Sequence, residues 1–278
     1  PALADCSSLG QGLQTMKDRS FIVRSDTAAP LGYVSGEDET KGYRICQPLE
    51  VLDWFQRYIS VDDRFELDTA MSLKGGALIA VTAKFNGSLS VLGEDHNARL
   101  LMTTSFDGSA STINQMTMTR VVCNNTLNVA LTDKRAAIKT RHSSAFDAAK
   151  VGRELAGLAE SVSGYSAMAQ AMASHDLTQR QVSDVFKQLL SIPFDAVSED
   201  ISSKKMNVFL ALVNSYQETV AEGTQPGTAW TVLNAVTRYV DHNRSTRGGA
   251  SPLEARFLSA QFGSGAAMKA QAHTLLLA

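Results

Sequence analysis

Apolar positions recur at every second residue through much of the first half of the chain and at every third or fourth through the second half. Ser20 to Gly36 alternates around Phe21, Val23, Leu31, Tyr33 and Val34, with AAPLG as the turn, and this predicts a hairpin. An acidic loop, Gly36 to Thr40, follows. Gln47 to Tyr58 carries Leu49, Leu52, Trp54, Phe55 and Tyr58 at helical spacing, with Pro48 suited to a first helical turn. Phe65, Leu67, Thr69, Met71 and Leu73 alternate with Glu66, Asp68, Ala70 and Ser72. Ala77, Ile79, Val81, Ala83 and Phe85 repeat the pattern after Lys74-Gly75-Gly76, so two antiparallel strands joined by a tight turn are expected. Asn86 to Asn97 reads as a connecting loop. Arg99 to Phe106 and Gln115 to Val122 form a second hairpin around FDGSAST. On it Arg99, Thr103, Ser105, Thr117 and Thr119 share one polar side, of a kind that suits water or a polyanion.

From Ser143 onward the periodicity is helical. Ser143 or Ser144 caps a helix running to about Ser174, and Asp176 or Thr178 begins another through Leu190, stopped by Pro193. Ser202 to Glu222 and Thr228 to His242 are further helices, and Leu253 to Leu277 is a last helical stretch. The final apolar run packs either in the core or against a neighbouring subunit. The fold class is therefore α+β: an N-terminal antiparallel β-sheet with a packed helix, followed by a helical C-terminal half. Residues 1–142 are expected to form the sheet domain and 143–278 a helical region packed on it.

At 278 residues, 44% apolar and 19% charged, the chain can bury a core without disulfides or metals. Cys6, Cys46 and Cys123 are widely spaced, with no C-x-x-C pair, so neither a zinc site nor a disulfide framework is signalled. No apolar run approaches a membrane span, and the opening PALADCSSLG lacks the blocks of a signal peptide, so a cytoplasmic protein is expected. The net charge of −2 confines any nucleic-acid surface to a local patch.

Such a patch exists in the sequence. From Arg120 to Arg153 the cations Arg120, Lys134, Arg135, Lys139, Arg141, Lys150 and Arg153 face only Asp133 and Asp147, whereas Glu37 to Asp68 is mostly acidic. Beside a Thr-rich sheet these cations either hold phosphates or form a solvated basic surface. Asn124-Asn125 either donate amides to a phosphate or base, or cap a short helix. Asp107-Gly108 is explained by turn chemistry. The five histidines, His96, His142, His175, His242 and His273, show no metal-ligand spacing. No G-x-S-x-G, P-loop or dinucleotide fingerprint occurs, and no catalytic residue, metal or cofactor is assigned.

The blocks RSDTAAPLGYVSG, LLMTTSFDGSAS, TRVVCNNTLNVAL followed by IKTRHS, TAWTVLNAVTRYVDHNR and SAQFGSGAAMKAQA span nearly the whole chain. With the helix start at Gln47 they resemble the phage/plasmid-like family of domain of unknown function 932. The order of elements is similar to the core of single-strand annealing proteins of the Rad fifty-two and Red-beta type, an analogy at fold level. The resemblance implies a non-enzymatic mediator of phage or plasmid recombination. It would assemble as a ring or helical homo-oligomer and bind single-stranded DNA, with a phage or plasmid exonuclease as a candidate partner. Arg120, Lys134, Arg135, Lys139 and Arg141 would then contact phosphates, Asn124 and Asn125 would orient the strand, and Lys84 and Arg99 would extend the groove. An interaction protein that binds a host protein and a metal-dependent nucleic-acid enzyme are the other classes. The first predicts no salt-sensitive DNA affinity, and the second predicts a divalent-metal requirement.

Overall fold

Alternation in the first half becomes strands and the helical periods of the second half become helices. A computed structural model describes residues 2–4, 19–35, 45, 47–61, 65–87, 89–109, 111–122, 125–128, 137–140, 158–247 and 251–277. The strands are β1 (Ala2–Ala4), β2 (Arg19–Val23), β3 (Pro30–Ser35), β4 (Phe65–Leu73), β5 (Leu78–Phe85), β6 (Leu89–Val91), β7 (Glu94–Ser105), β8 (Thr112–Arg120), β9 (Asn125–Asn128) and β10 (Ala137–Thr140). The helices are α1 (Pro48–Val61), α2 (Leu158–Ala173), α3 (Gln179–Leu189), α4 (Ser203–Ala221), α5 (Ala229–Arg238), α6 (Pro252–Phe262) and α7 (Ser264–Leu277), with a π-helical turn at Tyr239–Asn243. The architecture is an N-terminal antiparallel sheet followed by a helical C-terminal half. Among the described residues no helix is long and apolar enough to cross a membrane.

β1, β2 and β3 form a three-stranded sheet in that order. The larger sheet runs β10-β8-β7-β5-β4, with β6 added to β7 and β9 to β8. By its contacts the chain divides into two interleaved units: Pro1–Gly87, Arg99–Met116 and Arg135–Ala159 make one, and Ser88–Ala98, Thr117–Lys134 and Glu160–Ala278 the other.

In the first unit Ile22, Val34, Ile45 and Phe106 form a buried cluster joined by Leu31 and Ile79. A Cβ on Gly32 would lie 2.4 Å from the Asp107 Cα, so the residue must be glycine for β3 to approach the β7–β8 turn this closely. The β4–β5 turn passes through Lys74, Gly75 and Gly76 at φ of 50°, 65° and 102°. Two of these left-handed positions are glycine, and at the third Lys74 is held by its ammonium on Asp107 (3.0 Å) and Ser109 (3.1 Å).

In the second unit α5 is the central helix. Ala229 through Thr237 are all buried, as expected of a helix enclosed on every side. Its polar residues are satisfied locally. Asn234 Nδ2 donates to the Trp230 carbonyl (2.9 Å) and Thr237 Oγ1 to the Leu233 carbonyl (2.8 Å), while Thr228 caps the first turn. Tyr165 and Met172 of α2 are also buried, and Tyr165 meets Trp230 edge-on.

The structure departs from the sequence pattern at several points. Asn86–Asn97 is not a plain loop: β6 pairs with the start of β7 through Leu92 and Gly93, both at positive φ. The Asn-rich stretch starts a strand, β9, and not a helix. Four residues paired along Thr117–Arg120 replace the intended cap, because pairing to an available strand satisfies more backbone groups than one helical turn does. Leu253 to Leu277 is broken at Gly263 into α6 and α7. The helix start expected at Ser143 or Ser144 lies outside the described residues; α2 is described from Leu158 to Ala173. Finally, Thr103, Ser105, Thr117 and Thr119 are buried and do not line a solvated face. Hydroxyl-rich alternation looks alike whether the face is wet or covered, provided the hydroxyls find partners.

Candidate nucleic-acid interface

The strands distribute the predicted cations unevenly. In the first unit, register places Lys84 of β5 between Glu66 of β4 and Arg99 of β7. Lys84 is exposed. Arg99 is half-buried, and its Nε donates to Asp68 Oδ2 at 2.9 Å. Thr82 Oγ1 donates to the same carboxylate oxygen at 3.3 Å. Two cations therefore meet two carboxylates in adjacent rows. This patch has no local excess of positive charge, and the groove extension expected at Lys84 and Arg99 is neutralised by β4.

Arg120 departs furthest from expectation. Its side chain is only 1% exposed, and its guanidinium grips both carboxylate oxygens of Glu94 through Nε and Nη2. Nη2 also donates to Thr224 Oγ1 at 2.8 Å. The strand explains the burial: β8 is covered on both faces from Asn114 to Arg120, and Arg120 is buried with Asn114, Met116 and Met118 on its own face. A planar fork matched to one carboxylate is a structural tie within the second unit, and it leaves the guanidinium no route to a phosphate.

The remaining residues belong to the segment around β9 and β10. Asn125 opens β9 opposite Arg120, and Lys139 sits in β10 opposite Ile113. Asn124, Lys134, Arg135 and Arg141 lie outside the described residues. By backbone pairing, β8 takes β10 along Thr112–Gln115 and β9 along Thr117–Arg120.

Sequence reasoning missed a second polar constellation. Both backbone groups of Thr126 in β9 are taken by side chains from the helical part of the second unit. Its N–H donates to Asp241 Oδ2 (2.8 Å), and its carbonyl accepts from Lys269 Nζ (2.7 Å). Lys269 and Asp241 pair with each other at 2.5 Å, with side chains 4% and 9% exposed. Burial draws the Lys269 ammonium below the ordinary lysine range, and the Asp241 charge opposes that shift. Asp241 projects from the π-helical turn, closed by the Arg244 N–H to Tyr239 carbonyl bond (2.7 Å), and the wider turn re-aims residues that follow α5. The available signal was Lys269 itself, a lone cation in the apolar run GAAMKAQA.

His96 is buried against Tyr165 and Trp230, with ring centroids 5.7 and 6.4 Å away. Nδ1 donates to the Glu94 carbonyl at 3.1 Å, and Nε2 is buried without a hydrogen-bond partner. Burial lowers its pKa, against the raising effect of Glu94. Among the described residues no group of three or more His, Cys, Asp or Glu is placed to hold a metal ion.

A family model described as Domain of unknown function (DUF932) matches residues 37–259. No curated protein and no solved structure matches the chain.

Proposed function

The chain belongs to the family Domain of unknown function (DUF932), and from that premise we propose that it binds single-stranded DNA without catalysis and promotes strand annealing as a homo-oligomer in phage or plasmid recombination. The observation that carries the reading is a strand order. β10 stands at the end of the main sheet path, and Lys134, Arg135, Lys139 and Arg141 lie in it or within a few residues of it. Four cations within eight positions of sequence, one of them in β10, would track a polyanion through its phosphates and leave the bases exposed for pairing. Arg120 and Arg99 drop out of the contact set because carboxylates already pair with them, and Lys84 drops out because it stands in register with Glu66 in a patch without excess positive charge. Asn124 and Asn125 remain as neutral donors at the other end of the segment.

The test is fluorescence anisotropy of labelled single-stranded DNA at rising salt. Each phosphate contact to a single strand contributes about −0.7 to the slope of log affinity against log salt. Changing Lys134, Arg135, Lys139 and Arg141 together to Ala is expected to flatten that slope by roughly 3 and to weaken binding at low salt. An unchanged slope in the quadruple variant removes the assigned surface. No binding by the unaltered protein at low salt removes the function.

A further inference from the structure

A cleft of about 610 Å³ opens between α3 and α4, within the second unit. Val182 and Phe186 line it from α3 and are buried, while Val213 and Val220 line it from α4 and are half-buried. Packed helices ordinarily leave few gaps larger than a water molecule. A space of this size between apolar walls falls in the range that holds a small molecule.

The cleft is fixed in place by backbone bonds at one end. The Leu177 N–H donates to the Gly227 carbonyl (2.7 Å) and the Ala229 N–H to the His175 carbonyl (2.9 Å), which ties the segment before α3 to the segment before α5. Gly227, at φ of 74°, donates its N–H to Tyr216 Oη of α4 (2.7 Å). Thr178 and Gln181 close a capping box that sets the first turn of α3. Both helical walls are thus anchored to one loop, and drawing them together would break these bonds. The cleft is therefore preformed, which spares a ligand the cost of opening it. Leu177, Pro226 and Gly227 line it where α3 begins and α4 finishes, so it ends there, as suits a compact ligand more than a helix laid along a groove.

The lining also selects the chemistry of the ligand. Among the described residues no Asp, Glu, Lys, Arg or His lines the cleft. A charged ligand would give up hydration there and gain no counter-charge. The polar groups are few. Tyr216 Oη accepts from Gly227 and keeps its own proton to donate, and Ser183 and Gln217 add a hydroxyl and an amide.

We propose that this cleft binds an uncharged, mainly apolar small molecule that carries a hydrogen-bond acceptor. Its apolar body lies against Val182, Phe186, Val213 and Val220, and its acceptor meets the Tyr216 hydroxyl. The site belongs to one unit and does not rest on nucleic-acid binding.

A matched pair of probes tests it: cinnamamide, which is neutral, and cinnamate, which has the same shape and a negative charge. Each is titrated into the full chain and followed by backbone amide chemical shifts. Cinnamamide is expected to saturate with a Kd of about millimolar or tighter, moving the signals of Val182, Tyr216 and Val220. Cinnamate should bind about tenfold more weakly or less. Ser183→Phe fills the cleft from α3 and should abolish the shifts, and Val213→Phe does the same from α4 should the first variant not fold by circular dichroism. No saturable shift with cinnamamide overturns the proposal. So does equal binding of cinnamate, or binding that persists in a folded phenylalanine variant.

Discussion

Arg120 shows how one buried charge is made tolerable. The guanidinium lies beneath the surface because Glu94 neutralises it and Thr224 accepts one of its remaining protons. Removing one partner of such a pair strands the other in a poor solvent. Arg120→Met is therefore expected to cost about 3 kcal/mol or more in denaturant unfolding. Combining it with Glu94→Leu should recover much of that loss. DNA affinity of the folded variants should keep its salt slope, and a selective loss of that slope in Arg120→Met would return the residue to the binding surface. His96 and His273 act on the same scale. Burial lowers both from the ordinary 6.5. Below that value the unfolded chain takes up protons that the folded chain refuses. The stability these residues contribute is thus complete above 6.5 and drains as pH falls through the window beneath it. Denaturant midpoints measured from roughly pH 7.5 to 5.5 should fall. His96→Phe with His273→Leu should flatten that decline.

At the scale of elements, the junction of α6 and α7 depends on an absent side chain. A Cβ on Gly265 would meet Val240 Cγ1 at 2.7 Å and the Ser259 carbonyl at 2.8 Å. Gly265→Ala is accordingly expected to lower stability by about 1–3 kcal/mol through overpacking, despite the better helix propensity of alanine. Thermal unfolding would show it. Elements whose patterns were long and regular were legible from residues alone. β4 spans Phe65–Leu73 as its alternation suggests, and α4 spans Ser203–Ala221 within one residue of the periodic stretch at either end. The elements that were not legible are short or depend on a partner. β6 has three residues and β9 four, and each is a strand because another lies beside it. The π-helical turn is invisible to periodicity because it breaks the period.

At the scale of the molecule, the same division applies to charge. A count of lysines and arginines finds a basic segment, but it does not show which cations are already matched. Glu94 precedes Arg120 by 26 positions and Asp68 precedes Arg99 by 31, so both pairings are settled by folding. Lys269 and Thr126 lie 143 positions apart. Four of the nine residues singled out, Asn124, Lys134, Arg135 and Arg141, fall outside the described residues, and the salt titration addresses three of them directly.

The grip on Thr126 has a consequence for how this protein keeps to itself. A peptide unit whose hydrogen and oxygen are both occupied by an ion pair has nothing to offer a stray strand, so β9 is sealed against templating at that point. The same occupation should make the Thr126 amide among the slowest in its sheet to exchange with heavy water.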